Sequence, residues 1–149
     1  MNKSLSRAGR AVLLASGMLI AATGCSKAPY DLASVRGMVT LDGQPLSEGK
    51  VMFAPVANGG SAKVGKPGFG QLNADGTFVV STYGKEDGAV VGTHWVTVVQ
   101  TIVPDNSNAT PDTAESVKFK RYKFPQQQTV ASGAENKIDI ALTSAMLSE

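Results

Sequence analysis

From Gly92 to Val103 the chain reads GTHWVTVVQTIV, and its side chains sort by parity: His94, Val96 and Val98 on one side, Trp95, Thr97 and Val99 on the other. A two-residue period rich in β-branched and aromatic residues predicts a strand with one buried face, and it is incompatible with an amphipathic helix, whose apolar positions recur every three to four residues. The same period returns along the chain. VRGMVTL sets Val35, Val39 and Leu41 on one parity together with Gly37, and KVMFAP sets Val51 and Phe53 opposite Met52 before Pro55 ends the run. NKIDIAL alternates Ile138, Ile140 and Leu142 with polar residues.

Turn chemistry separates these runs. Asp42-Gly43 and Asp87-Gly88 are tight-turn dipeptides, and FGQLNADGTFVVSTY is expected to form a hairpin about Asn73 to Gly76, with Phe78 and Val80 inward. Two longer polar stretches, 56–66 and 104–116, lack a period and are expected as loops. Sixteen glycines and seven prolines punctuate the chain in the way a turn-rich sheet protein requires. Six or seven short strands with no amphipathic helix among them predict an all-β fold, an antiparallel β-sandwich.

The first 24 residues differ in kind. They carry Lys3, Arg7 and Arg10 and no acid, then an apolar stretch from Ala11 to Ala22 that is too short to cross a bilayer as a helix. This is the architecture of a signal peptide. It ends in AATGC, which places the small residues Ala22 and Gly24 before Cys25, the only cysteine of the chain. The segment resembles a bacterial lipoprotein signal with its lipobox, although Ala22 stands where leucine is usual. The resemblance implies cleavage between Gly24 and Cys25, a diacylglyceryl thioether on the Cys25 sulfur and further acylation, by palmitate for example, of the new amino terminus. Ser26 after the cysteine looks like the pattern sent on to an outer membrane. The other reading is an ordinary secretory signal cut nearby, which leaves Cys25 a free thiol exposed to oxidation.

Processing alters the charge. The full chain has 14 Lys and Arg against 12 Asp and Glu, net +2; without Lys3, Arg7 and Arg10 it has 11 against 12, net −1. The precursor's basic balance therefore gives no ground for a nucleic-acid partner. Residues 25–33 are expected as a tether and 34–145 as one domain, long enough to bury a core without a disulfide.

Four blocks in order, VRGMVTLDGQPLSEGKVMFAP, NADGTFVV, DGAVVGTHWVTVV and GAENKIDIAL, resemble the small bacterial lipoproteins with carboxypeptidase-regulatory-like, or transthyretin-like, domains. The resemblance spans Val35 to Leu142 and implies a seven-stranded prealbumin-like sandwich with an Ig-like Greek key. It departs at His94, where the family's G-x-Y-x-V pattern has tyrosine. RYKFPQQQ, around Tyr122 and Pro125, fits the family's K-Y near a proline loosely.

Candidates for chemistry are few. His94, on an inward parity, is expected as a neutral core imidazole bonded to a backbone carbonyl. No Ser/His/Asp arrangement can be completed around it, and one histidine with one cysteine leaves too few soft ligands for zinc. Asn73, Asp75 and Gly76 are spaced like part of a calcium loop. Gln71 and Thr82 stand where its acidic ligands belong, so a β-turn is expected instead, and neither metal nor cofactor. KFKRYKF, 118–124, is either an edge strand guarded by lysines or a basic site for an anion or polysaccharide. Trp95, on the outer parity, is free to stack on a sugar or seat a partner unless the loop after Pro104 covers it.

Three function classes follow. The chain is expected foremost as a non-enzymatic module tethered in the cell envelope through Cys25, at an outer membrane, binding a protein or an envelope polysaccharide. The second class is a carbohydrate-binding accessory domain using Trp95, Tyr122 and the basic 118–123 run, with Lys120 and Arg121 among its contacts. The third is an enzyme similar to the transthyretin-related hydroxyisourate hydrolases; those use several histidines, and this chain has one and ends LTSAMLSE.

Overall fold

The protein is described by a computed structural model over residues 29–57 and 64–148. Gly24, Cys25 and the signal segment lie outside the described residues, as does most of the expected 56–66 loop. No helix among the described residues is long and apolar enough to cross a membrane.

The chain is all-β, with one turn of 3₁₀-helix at Ser144–Met146. In order the strands are β1 (Leu32–Ala33), β2 (Val35–Leu41), β3 (Gln44–Pro45), β4 (Gly49–Pro55), β5 (Gly68–Gln71), β6 (Thr77–Val79) and β7 (Ala89–Val90). They continue with β8 (Gly92–Ile102), β9 (Lys118–Lys123), β10 (Gln128–Val130), β11 (Asn136–Lys137), β12 (Ile140–Leu142) and β13 (Leu147–Ser148). The expected count of seven gives way to thirteen among the described residues, because several runs are cut into two- and three-residue pieces. β11 and β12, for instance, continue in one register along β2, interrupted where the Asp139 side chain accepts the Met38 N–H.

One sheet runs β13-β9-β8-β4-β5, with β10 beside the start of β8; all its pairings are antiparallel. In a second sheet β2 is the hub, antiparallel to β3 and β6 and parallel to β11 and β12, and β1 and β7 pair as a separate two-stranded sheet. The expectation of a purely antiparallel fold is corrected here: a strand can return parallel only after a long crossover, and the chain makes one through the first sheet before β11. The inward parities of both sheets meet. Val51, Phe53, Val96, Val98 and Tyr122 from the first face Val35, Val39, Phe78, Ile140 and Leu142 from the second in one cluster, and the rings of Phe53 and Phe78 lie 6.0 Å apart. Burying a side chain of this size stabilises the fold by roughly 1.5–3 kcal/mol.

Local turns follow the sequence. Asp42 and Gly43, at φ 49° and 83°, make the two-residue loop between β2 and β3, the left-handed pair a tight hairpin requires. At Asn73–Gly76 the turn forms, closed by Gly76 N–H to the Asn73 carbonyl at 2.9 Å. Its flanks do not form the expected simple hairpin, since β5 pairs with β4 and β6 with β2, and only a bridge between Phe69 and Ser81 links them. The turn thus carries the chain from one sheet to the other. Asp87 takes three backbone N–H groups, from Thr82, Tyr83 and Gly84 at 2.6–3.0 Å, and so fixes the loop before β7.

Two boundaries move. Leu32 and Ala33 pair with β7 as strand β1, and Tyr30 stacks on Tyr83 with ring centroids 6.3 Å apart, so the expected 25–33 tether ends sooner. At the other end β13 pairs with β9, which carries the folded body past 145. Between β8 and β9 the segment 103–117 has no strand, as expected; Asn106 clamps it by bonding the Glu115 carbonyl at 2.7 Å and the Glu115 N–H at 3.0 Å.

Candidate functional site: the outer face of the β5–β4–β8–β9 sheet

Register places the outward side chains of four strands in rows. Phe69, Met52, Thr97 and Lys123 form one row from β5 to β9; Gln71, Lys50, Val99 and Arg121 form the next. Trp95, opposite Ala54, stands at one end of the field, and Phe119, opposite Thr101, at the other. Directly opposed residues on neighbouring strands are close enough to act as one surface. Alternation builds this face, because each outward residue follows one committed to the core.

The face is aromatic and cationic together. Trp95 is 48% exposed, Phe69 44% and Phe119 67%. Lys50 Nζ lies 5.9 Å from the Phe69 ring centroid, in cation–π range. A shallow groove of about 350 Å³ runs between Lys50, Phe69, Val99, Arg121 and Lys123, and a second of about 440 Å³ lies between Trp95, Lys123, Phe124 and Pro125. No carboxylate lines either groove. Trp95 is not covered by the loop after Pro104.

The expected contact set divides. Along β9, Arg121 points outward beside Trp95's face, whereas Tyr122 is buried at 3% exposure, packed in the core with its hydroxyl 3.1 Å from Gln100 Oε1. Tyr122 therefore presents no ring to a ligand, which corrects its place in the set. Lys120 shares Tyr122's parity and, though exposed, stands on the opposite side of the strand from Arg121. Lys123, Lys50, Phe69 and Met52 join the face in their place. Lys123 was within the basic run; pairing of β4 and β5 to β8 was the missing signal for the others. The two readings of 118–124 also merge, since β9 is a strand covered on its outer edge only at Arg121 and Tyr122, by β13.

His94 sits in the core at 1% exposure, its ring edge-on to Phe53 at 6.1 Å, and Nδ1 lies 3.1 Å from the Gly92 carbonyl oxygen. Nδ1–H donates that bond, leaving Nε2 buried without a partner among the described residues. Burial disfavours the imidazolium and holds the pKa below its ordinary 6.5, with the Gly92 bond opposing weakly. The arrangement is a neutral packed ring. At the Asn73–Gly76 turn, Asp75 accepts from the Thr77 N–H at 3.0 Å and hydroxyl at 2.6 Å, bonds that lower its pKa. Among the described residues no three His, Cys, Asp or Glu are grouped so as to hold a metal ion.

No family model matches the chain, and no curated protein matches it. Among solved structures it is similar to a 9R-lipoxygenase from Cyanothece PCC8801, with 12% identity and a TM-score of 0.41 over 78% of this chain and 17% of that one. This chain thus spans about a sixth of the enzyme's length, and a likeness at that TM-score carries no weight for fold or activity.

Proposed function

We propose that this chain is a non-enzymatic binding module of the cell envelope, exported by residues 1–24, tethered to a membrane through acylated Cys25, and engaging its partner through the outer face of the β5–β4–β8–β9 sheet. In the same proposal the body is a prealbumin-like sandwich of the carboxypeptidase-regulatory-like kind. Its support is the single core enclosed between two sheets and the matching turn blocks. The observation that carries the functional reading is Trp95: a large ring left half exposed on a rigid strand, flanked by grooves and cations, is what a recognition surface requires. His94 lends no support to the hydrolase reading, because its ring faces Phe53 and the core rather than solvent.

A carbohydrate-binding accessory domain is the second reading, favoured by the Trp95 plane beside the hydroxyl of Thr97. Its contact set becomes Trp95, Arg121 and Lys123. Two measurements test the proposal. Capture from a native envelope by the full chain is expected to yield a molecule that Trp95→Ala no longer retains; equal capture by both would reject the face. Fatty-acid labelling is expected to vanish in Cys25→Ser, and undiminished labelling would reject the tether.

A further inference from the structure

We propose that the β5–β4–β8–β9 face takes an acidic polysaccharide, a chain of sugars bearing carboxylates, laid across the strands; the inference rests on the binding-module reading above. Three observations point there. First, Lys50, Arg121 and Lys123 have no ion-pair partner among the described residues; Arg36, Lys85, Lys118 and Lys137 elsewhere each lie within 4.0 Å of a carboxylate, while Lys66, over the Tyr83 ring, and Lys120 are unpaired off this face. Three unpaired cations gathered on one face, around two grooves lined by no acid, match a polyanion. Glu86 shares a depression with Lys50, Phe69 and Gln71 at the β5 edge of the field, while the grooves along Arg121 and Lys123 hold no acid.

Second, the charges are spaced by the sheet. Lys50 and Arg121 flank Val99 in one row, so their strands are two inter-strand steps apart, about 10 Å. Lys123 lies two residues along β9 from Arg121, about 7 Å. Fixed positive points at such intervals suit an extended polymer with a recurring negative charge better than one compact anion. Third, Trp95 and Phe69 offer exposed rings at separate points of the same face, and a sugar's C–H face packs on an aromatic plane while Thr97 meets its hydroxyls. Single-stranded nucleic acid shares the taste for rings and cations. The exported, net-negative mature chain of the proposed reading disfavours it.

Trp95 is the chain's sole tryptophan, so its fluorescence reports this face alone. The test titrates the full chain, purified in mild detergent, with polygalacturonate and with the same polymer fully methyl-esterified, which keeps the backbone and removes the charge. Saturable change in Trp95 emission is expected with the acid form, at least tenfold weaker with the ester and weakened by added salt. Arg121→Ala with Lys123→Ala is expected to weaken binding about tenfold or more, and Lys120→Ala, on the other side of β9, to leave it unchanged; circular dichroism checks that each variant stays folded. Equal binding of acid and ester, tighter binding of a single-stranded oligonucleotide, indifference to the Arg121 and Lys123 changes, or no response to either polymer would overturn the inference. If it falls while envelope capture still depends on Trp95, the module reading stands and the ligand is of another class; if capture also ignores Trp95, both fall.

Discussion

His94 shows at the scale of one residue how packing sets chemistry. Because its folded pKa is depressed, the native state takes up a proton less readily than the unfolded chain, so its contribution to stability is intact above 6.5 and is lost as pH falls below that value toward the folded pKa. Thermal unfolding between pH 7.5 and 5 is expected to show the midpoint dropping in the wild type and dropping less in His94→Phe. Gly88 makes a steric prediction. Its φ is +90°, and an added Cβ would lie 1.9 Å from the Ala33 carbonyl oxygen, so Gly88→Ala must push β1 away or strain the turn. A loss of about 1–3 kcal/mol is expected in urea unfolding. The placement of His94 and the outward turn of Trp95 were legible in the sequence, since parity alone decides both. That Lys120 and Arg121 cannot serve one ligand together was equally available from alternation, once 118–123 was read as a strand rather than as a basic cluster.

Individual strands carried different amounts of information. β8 announced itself, as eleven residues with a regular period leave no other solution. β3, β7 and β11, at two residues each, hold no period to detect and exist because a partner strand offers its backbone groups. The parallel pairing of β12 with β2 was likewise hidden, because direction of pairing leaves no mark on which residues are apolar. The candidate face was legible in part: one strand's outward residues follow from its period, but which strands lie beside it depends on register that only the fold supplies. At this scale Trp95→Ala is expected to change stability by no more than about 0.5 kcal/mol, since the ring is half exposed, while Tyr122→Phe costs about 0.5–1.5 kcal/mol through the lost bond to Gln100. Denaturant midpoints of the two variants measure the contrast. Removing the residues after Leu142 would strip β13 from β9 and expose a paired edge, so light scattering is expected to show faster self-association.

For the molecule as a whole, the sequence argued an all-β body with one core, and the two inward parities do meet in a single cluster. What it could not supply was the way the ends are tied in. Tyr30 rests on Tyr83, the Val91 N–H bonds the Asp31 carbonyl at 2.9 Å, and β1 follows at once. Only five residue steps separate Cys25 from Tyr30, a reach of about 17 Å when fully stretched. A body held on so short a leash would ride at the lipid surface, not out in the aqueous space beyond it. If Cys25 carries the proposed acyl anchor, anything the body gathers must come down to the bilayer, or already grow from it.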